Sequence, residues 1–336
     1  MRRILVVGPS WIGDTLLAQP LFRLLHERHQ ALALDVLAPA WTLPLVARMS
    51  EVRRAILHPV RHGELGLAAR RRLGHELRGE EYDQAIVLPN TFKSALVPWF
   101  AGIRVRTGYR GEMRWGLVND LRRLDEEALP QLAQRYAALG IAAGEAPPPL
   151  PRTRLEVNDG ARAATLRKLG LAPEGPVAAL CPGAEYGPAK RWPAAHYAEL
   201  ARLLAGSGHE VWLIGSHKDA AIGAEIAGMS AGAARNLCGR TSLDEAVDLL
   251  ASADVVVSND SGLMHVAAAL GRPLVALYGS SSPSFTPPLS ESARILKLDL
   301  ACSPCFRREC PLGHFNCMRQ IAPQRVVDAI RFDKMA

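Results

Sequence analysis

Short apolar runs rich in β-branched residues recur along this chain. Each is followed by a small or polar turn, and then by apolar residues at three- and four-residue spacing. Such alternation predicts strands feeding helices. In the first half, residues 4–7, 32–37, 55–57 and 82–88 read as strands, with a short one at Val105 and Thr107. Helical periodicity covers 15–27, 43–49, 65–77 and 129–139. Residues 145–154 then carry four prolines and little that could pack, which marks a linker. After a helix at 157–169 the alternation restarts. Strands are expected at 177–180, 209–214, 255–257, 273–278 and 295–298, with a brief one at 236–237. Helices are expected at 193–204, 220–227, 243–251, 263–270 and 323–330. Near-continuous apolar strands suit parallel sheets covered on both faces. The expectation is an α/β protein of two domains, 1–150 and 151–336, with the final helix free to pack back on the first domain.

The stretch Val255-Val256-Val257-Ser258-Asn259-Asp260-Ser261-Gly262-Leu263-Met264-His265 concentrates the pattern. A buried strand ends in turn residues, and an Ala-rich helix begins. Backbone amides at such a helix start can receive an anion. The competing reading is that Asp260 or Ser261 merely caps the helix. Three other strand ends in the second half are also built from small residues: Pro182-Gly183-Ala184, Gly215-Ser216 and Gly279-Ser280-Ser281-Ser282. In a parallel sheet these ends share one edge, an arrangement that suits a phosphorylated ligand. No Gly-x-Gly-x-x-Gly or Gly-x-x-x-x-Gly-Lys-Ser/Thr loop occurs, which argues against ordinary dinucleotide and P-loop sites.

Charge sharpens this picture. The 336 residues carry a formal net charge of +7, which asks for an anionic partner: nucleic acid, a membrane surface or a phosphorylated small molecule. With 49% hydrophobic and 22% charged residues the composition is that of a folded chain. No run of 18 apolar residues appears. The apolar N-terminal run is broken by Pro9, Ser10 and Asp14, so it reads as a strand rather than a leader, and a cytoplasmic protein is expected. The first half holds many of the cations, among them Arg70, Arg71, Arg72, Arg78, Lys93, Arg106, Arg110 and Arg114. No zinc-finger, helix-turn-helix or RNA-binding aromatic signature accompanies them, so nucleic acid is not the expected partner.

Lys190 and Arg191 precede a helix, where a cation opposes the helix dipole. That placement favours a ligand contact over an ordinary solvated pair. Asp14 lies at the first strand-to-helix turn, where a carboxylate could take a proton from an attacking hydroxyl or simply cap the helix. Ser10 and Trp11 are beside it, as turn residues or contacts to a polar ligand.

Several of these stretches together carry a family likeness. They are Gly8-Pro9-Ser10-Trp11-Ile12-Gly13-Asp14, then Leu88-Pro89-Asn90-Thr91-Phe92-Lys93-Ser94, and Arg106-Thr107-Gly108-Tyr109-Arg110-Gly111-Glu112-Met113-Arg114. In the second half they are Cys181-Pro182-Gly183-Ala184-Glu185-Tyr186-Gly187-Pro188-Ala189-Lys190-Arg191-Trp192-Pro193 and the run from Ser258 to Ala269. The chain resembles the family 9 glycosyltransferases of lipopolysaccharide inner-core assembly. That resemblance implies a GT-B fold, two Rossmann-like domains with parallel sheets facing across a cleft. It implies an acceptor-binding first domain and a second domain that binds ADP-L-glycero-β-D-manno-heptose. The implied reaction is inverting transfer of the heptose to the first heptose of the inner core on Kdo2-lipid A, at the cytoplasmic face of the inner membrane with peripheral contact. The alternatives are an enzyme adding the first or a later heptose, or a non-catalytic nucleotide-sugar or nucleic-acid binder. The resemblance places the general base on Asp14 and the donor site on Lys190, Asp260, Ser261, Gly262 and His265. Acceptor contacts are expected from Ser10, Lys93, Arg110 and Arg114. No metal or other cofactor is expected in catalysis.

Four of the six cysteines, Cys302, Cys305, Cys310 and Cys317, stand close together near the end of the chain. Their number suits a structural zinc, with His314 able to replace one; reduced thiols or a disulfide are the other readings.

Overall fold

The computed structural model describes residues 1–60, 63–146 and 148–332. It divides into two units, Met1–Thr153 and Arg154–Ala336, each with a six-stranded sheet. The first sheet is built from β1 (Arg2–Val7), β2 (Leu32–Ala38), β3 (Arg54–Leu57), β4 (Gln84–Val87), β5 (Val105–Tyr109) and β6 (Asp120–Arg122). The second is built from β7 (Val177–Cys181), β8 (Glu210–Leu213), β9 (Ala234–Asn236), β10 (Val255–Asn259), β11 (Leu274–Tyr278) and β12 (Ala293–Lys297). All pairings are parallel. The orders are β3-β2-β1-β4-β5-β6 and β12-β11-β10-β7-β8-β9. Counted within its own unit the second order is the same as the first, so each unit is a complete doubly wound Rossmann-like sheet.

The central strands are fully buried because both faces are covered. β7, β10 and β11 have no exposed residue, and Leu180, Val257, Leu277, Trp192, Tyr197 and Leu213 meet in one core. Each such aliphatic side chain contributes about 1.5–3 kcal/mol on burial. The first unit has its own core around Leu5, Val7, Leu37, Val87 and Val97. Outer strands are short or charged: Arg54 is exposed on β3, and Arg294 and Lys297 stand on β12, which discourages pairing with another chain.

Several helix ends follow local chemistry. Ser242 and Glu245 form a capping box at the start of Leu243–Ala251, and Asn158 accepts from Ala161 N at the start of Asp159–Leu169. The helix expected at 15–27 is two helices, Ile12–Leu17 and Gln19–Arg28, meeting at Ala18. Pro20 explains the break, since it has no amide to extend the first helix and fits the first turn of the second. The last helix is Pro323–Phe332. It packs on Ala194–Gly206 and β11, with Val326, Val327 and Ile330 in the second core. Among the described residues no helix is long and apolar enough to cross a membrane.

Candidate active site

Strand order reverses between β1 and β4, and again between β7 and β10. Open α/β sheets receive ligands outside the carboxyl ends of the strands at such points. In the second unit that position is formed by the loop after β7 and by Asp260-Ser261-Gly262 after β10. Lys190 closes the first loop, and its Nζ donates to Asp260 Oδ2 at 2.6 Å, across 70 residues of sequence. The two side chains are 17% and 5% exposed. Ser281 Oγ, from the loop after β11, donates to the same carboxylate oxygen. The Lys190 ammonium also stands 5.1 Å from the centre of the Tyr186 ring. A cation held this way has lost most of its rotamer freedom before any ligand arrives.

Asn259 ties the two loops together. Its Oδ1 accepts from Trp192 N and Tyr197 Oη, each at 3.1 Å, and its Nδ2 donates to Pro182 O at 2.8 Å. Trp192 is in turn anchored by its indole N–H to Ile321 O at 2.9 Å. Thus the residue two places after Lys190 is sunk in the core, and Lys190 is left at the rim. The sequence reading placed Asn259 and Ser281 in strand-end loops but gave neither a role of its own. An Asn as the last residue of an otherwise apolar buried strand was the available signal for the first. For Ser281 the signal was its place in the small-residue strand end Gly279-Ser280-Ser281-Ser282.

The capping alternative for the Asp260 turn is not what the structure shows. Ser261 occupies the N-cap of Gly262–Ala269 with extended dihedrals, and no side chain makes a cap hydrogen bond there. Its Oγ lies 3.2 Å from Ser258 Oγ instead. The first amides of this helix therefore lie uncapped beside Lys190, which gives an anion both amide donors and an ammonium. His265 lies one turn in, 5% exposed. Burial pushes its pKa down to about 4, with Asp260 opposing and Lys190 adding to the shift, so it is neutral at pH 7. It can offer a hydrogen bond there but no positive charge.

In the first unit, Ser10 and Asp14 follow β1, Lys93 follows β4 and Arg110 follows β5. Asp14 stands in the first turn of Ile12–Leu17, with Trp11 as the N-cap, so it is not the capping residue. It is half-buried, and its charge adds to burial in raising the Tyr136 phenol well above its ordinary range. Ser10 is half-buried, its carbonyl accepting from Trp41 Nε1 at 2.7 Å. Lys93 is half-buried and Arg110 exposed. Arg114, expected at the acceptor, is 1% exposed and holds the backbone together: it donates to Pro89 O and Tyr109 O, both at 2.6 Å, and to Asn90 Oδ1 at 3.1 Å. Arg70, Arg78 and Arg106 likewise bond to backbone carbonyls, of Leu65 and Lys93, Phe100, and Leu117 and Gly116 respectively. Much of the first half's positive charge is thus structural rather than poised for a ligand. Charge counting alone cannot separate the two uses, because both leave the same residue in the sequence.

The four clustered cysteines line one small cavity with His314, Ser280 and Phe315. Among the described residues no three Cys, His, Asp or Glu side chains stand so that they could hold a metal ion as they are placed.

The second switch point of this two-unit Rossmann architecture thus brings together an ammonium, uncapped helix amides and a carboxylate. Glycosyltransferase family 9 (heptosyltransferase) matches residues 70–316. The chain belongs to glycosyltransferase family 9. It is 50% identical over 338 residues to lipopolysaccharide heptosyltransferase 2 of Escherichia coli K12, covering 98% of this chain and 97% of the relative. It is 49% identical over 338 residues to the protein of the same name from Salmonella typhimurium LT2, covering 98% and 97%. The solved structure of E. coli ADP-heptose lps heptosyltransferase II superposes with a TM-score of 0.89 at 48% identity, covering all of both chains. This family 9 member is an enzyme, a glycosyltransferase of GT-B fold. The non-catalytic alternative falls with that finding. The relatives are named heptosyltransferase 2, and that name fits addition of a second heptose rather than of a first.

Proposed function

We propose that this glycosyltransferase adds the second heptose of the lipopolysaccharide core, using an ADP-activated heptose as donor. The observation that supports it best is the Lys190–Asp260 pair at the second switch point, beside uncapped amides, in a chain so similar to enzymes of that name. The diphosphate would draw on the Lys190 ammonium and the amides of Ser261 and Gly262. These donors strengthen as negative charge gathers on the departing ADP. Asp260, held by Lys190 and Ser281, is left to orient that ammonium and the sugar hydroxyls. His265, being neutral, would hydrogen-bond the donor without adding charge.

In the first unit Asp14 would accept the proton of the attacking hydroxyl as the bond to the anomeric carbon forms and the bond to ADP breaks. Ser10, Lys93 and Arg110 would contact the acceptor, whose phosphates and acidic sugars match their charge. The acceptor is an amphiphile, so the enzyme would work in peripheral contact with the cytoplasmic face of the inner membrane. An assay offering ADP-heptose and core acceptors with zero, one or two heptoses tests the reading. Conversion of the one-heptose acceptor to a two-heptose product is expected. Turnover confined to either of the other acceptors would refute it.

A further inference from the structure

One segment carries chemistry that the transfer reaction leaves unused. Residues 302–317 contain four of the chain's six cysteines. Cys302, Cys305 and Cys310 lie in irregular chain and Cys317 in the short helix Asn316–Arg319, yet all four line the same cavity. Ser280 lines it too, 1% exposed, with an Oγ that has no hydrogen-bond partner. Leaving such a group unsatisfied costs about 1–3 kcal/mol, so the cavity is not a simple apolar void.

Burial does not hold this segment together. None of residues 302–317 is buried, and Phe306 and Leu312 are 51% and 62% exposed. A stretch this short, with no core of its own, is ordinarily fastened by disulfides or a metal. Its backbone is nevertheless tightly shaped. Phe306, immediately after Cys305, and Phe315 both have φ of +52°, which aromatic residues seldom adopt. Phe315 N donates to Cys310 Sγ at 3.4 Å. All four thiols are free, and all four line one space. Four sulfurs around one space match the ligand number of a tetrahedral tetrathiolate centre.

We propose that Cys302, Cys305, Cys310 and Cys317 bind one divalent metal ion of zinc's chemical class, closing on it by rotation of their side chains. Each thiol gives its proton to solvent as its metal–sulfur bond forms, and no electron is transferred. The ion fastens the segment against the donor loops. Phe306 N donates to Ser280 O at 2.7 Å and Ser303 Oγ to Gly279 O at 2.7 Å. On the other side Tyr186 Oη donates to Phe306 O at 2.8 Å, and Ala189 N to Arg308 O at 3.0 Å. The loop that carries Lys190 therefore leans on the cysteine segment. Given the donor site proposed above, losing the metal would loosen Lys190 and weaken nucleotide binding.

The test begins with metal analysis of full-length protein purified without added metal or a metal-affinity step. About one zinc or iron per chain is expected. Exchange for cobalt(II) should give thiolate charge-transfer absorption in the near ultraviolet and strong visible bands of a tetrahedral site. Cys310→Ser should lose the metal while keeping its far-ultraviolet circular dichroism, and His314→Ala should keep the metal. No metal, with the four thiols reactive or joined in disulfides, would overturn the proposal. So would metal loss in His314→Ala with retention in Cys310→Ser. Chelation should then weaken ADP binding, followed by calorimetry, by roughly tenfold or more, the effect of displacing a binding group by about an ångström. Unchanged ADP affinity would overturn the fastening role. Failure of the metal-loaded protein to bind ADP would count against the donor site and leave the metal count unaffected.

Discussion

Lys190 and Asp260 should be energetically coupled for folding and jointly required for donor binding. Their N···O distance is 2.6 Å, with side chains 17% and 5% exposed. At an effective dielectric near 20 the gross attraction at that distance is about 6 kcal/mol. Desolvation of both ions offsets much of this. Removing one partner leaves the other buried without its counter-charge, at a cost of about 3–5 kcal/mol for a fully buried pair. Lys190 retains some solvent contact, so the expected loss for Lys190→Met or Asp260→Asn is nearer about 2–3 kcal/mol. The double variant leaves no orphaned charge and should fall well short of the sum, with a coupling of about 2 kcal/mol. Urea denaturation of the wild type, both single variants and the double variant measures that coupling through their midpoints and slopes. ADP titration of the same four proteins should show weaker binding in every variant, with no recovery in the double one. Additive stabilities, or wild-type ADP affinity in Lys190→Met, would refute the reasoning.

Other residues give further tests. Asp14→Asn should lower turnover by about 10²–10⁴-fold while leaving ADP affinity unchanged, as loss of a general base does; ordinary turnover would remove Asp14 from that role. His265 has a folded pKa of about 4 against an ordinary 6.5, so the unfolded chain takes the proton first as pH falls. Stability is therefore present above pH 6.5 and lost between 6.5 and 4, by about 3 kcal/mol, and His265→Gln should flatten that part of the stability–pH curve. Arg114→Met strips donors from Pro89 O and Tyr109 O and should destabilise the first unit by about 2–4 kcal/mol in chemical denaturation, whereas a pure ligand contact would leave the midpoint unmoved. Gly187→Ala would place a Cβ 2.5 Å from Arg308 O, so it should displace the Lys190 loop and raise the KM for donor more than it lowers the melting temperature.

The order of strands and helices was legible because burial writes itself into the residues. Val255-Val256-Val257 and Leu274–Tyr278 are apolar on both faces, and only a covered parallel strand makes use of that. β6 escaped because Asp120, Leu121 and Arg122 lie at the end of the sheet, half-buried, with no apolar run to announce them. Pro20 did announce the break at Ala18, but periodicity of 3.6 runs through both helices and hides it. Family membership was also carried by short contiguous motifs, which need no tertiary information.

What the sequence determined by itself was this periodic plan, its repetition in two halves, and the positions of the small-residue turns, since each depends on neighbours a few residues apart. Only the tertiary structure decided which side chains share a site and which cations are already engaged. Lys190 meets Asp260 and Ser281 because β7, β10 and β11 lie side by side with their carboxyl ends together. Arg110 and Arg114 look alike in sequence, yet one is exposed and the other ties the loop after β4 to the end of β5 from within. Charge and hydrogen-bond partners are set by distances through space, and the chain encodes those only after its sheets have formed.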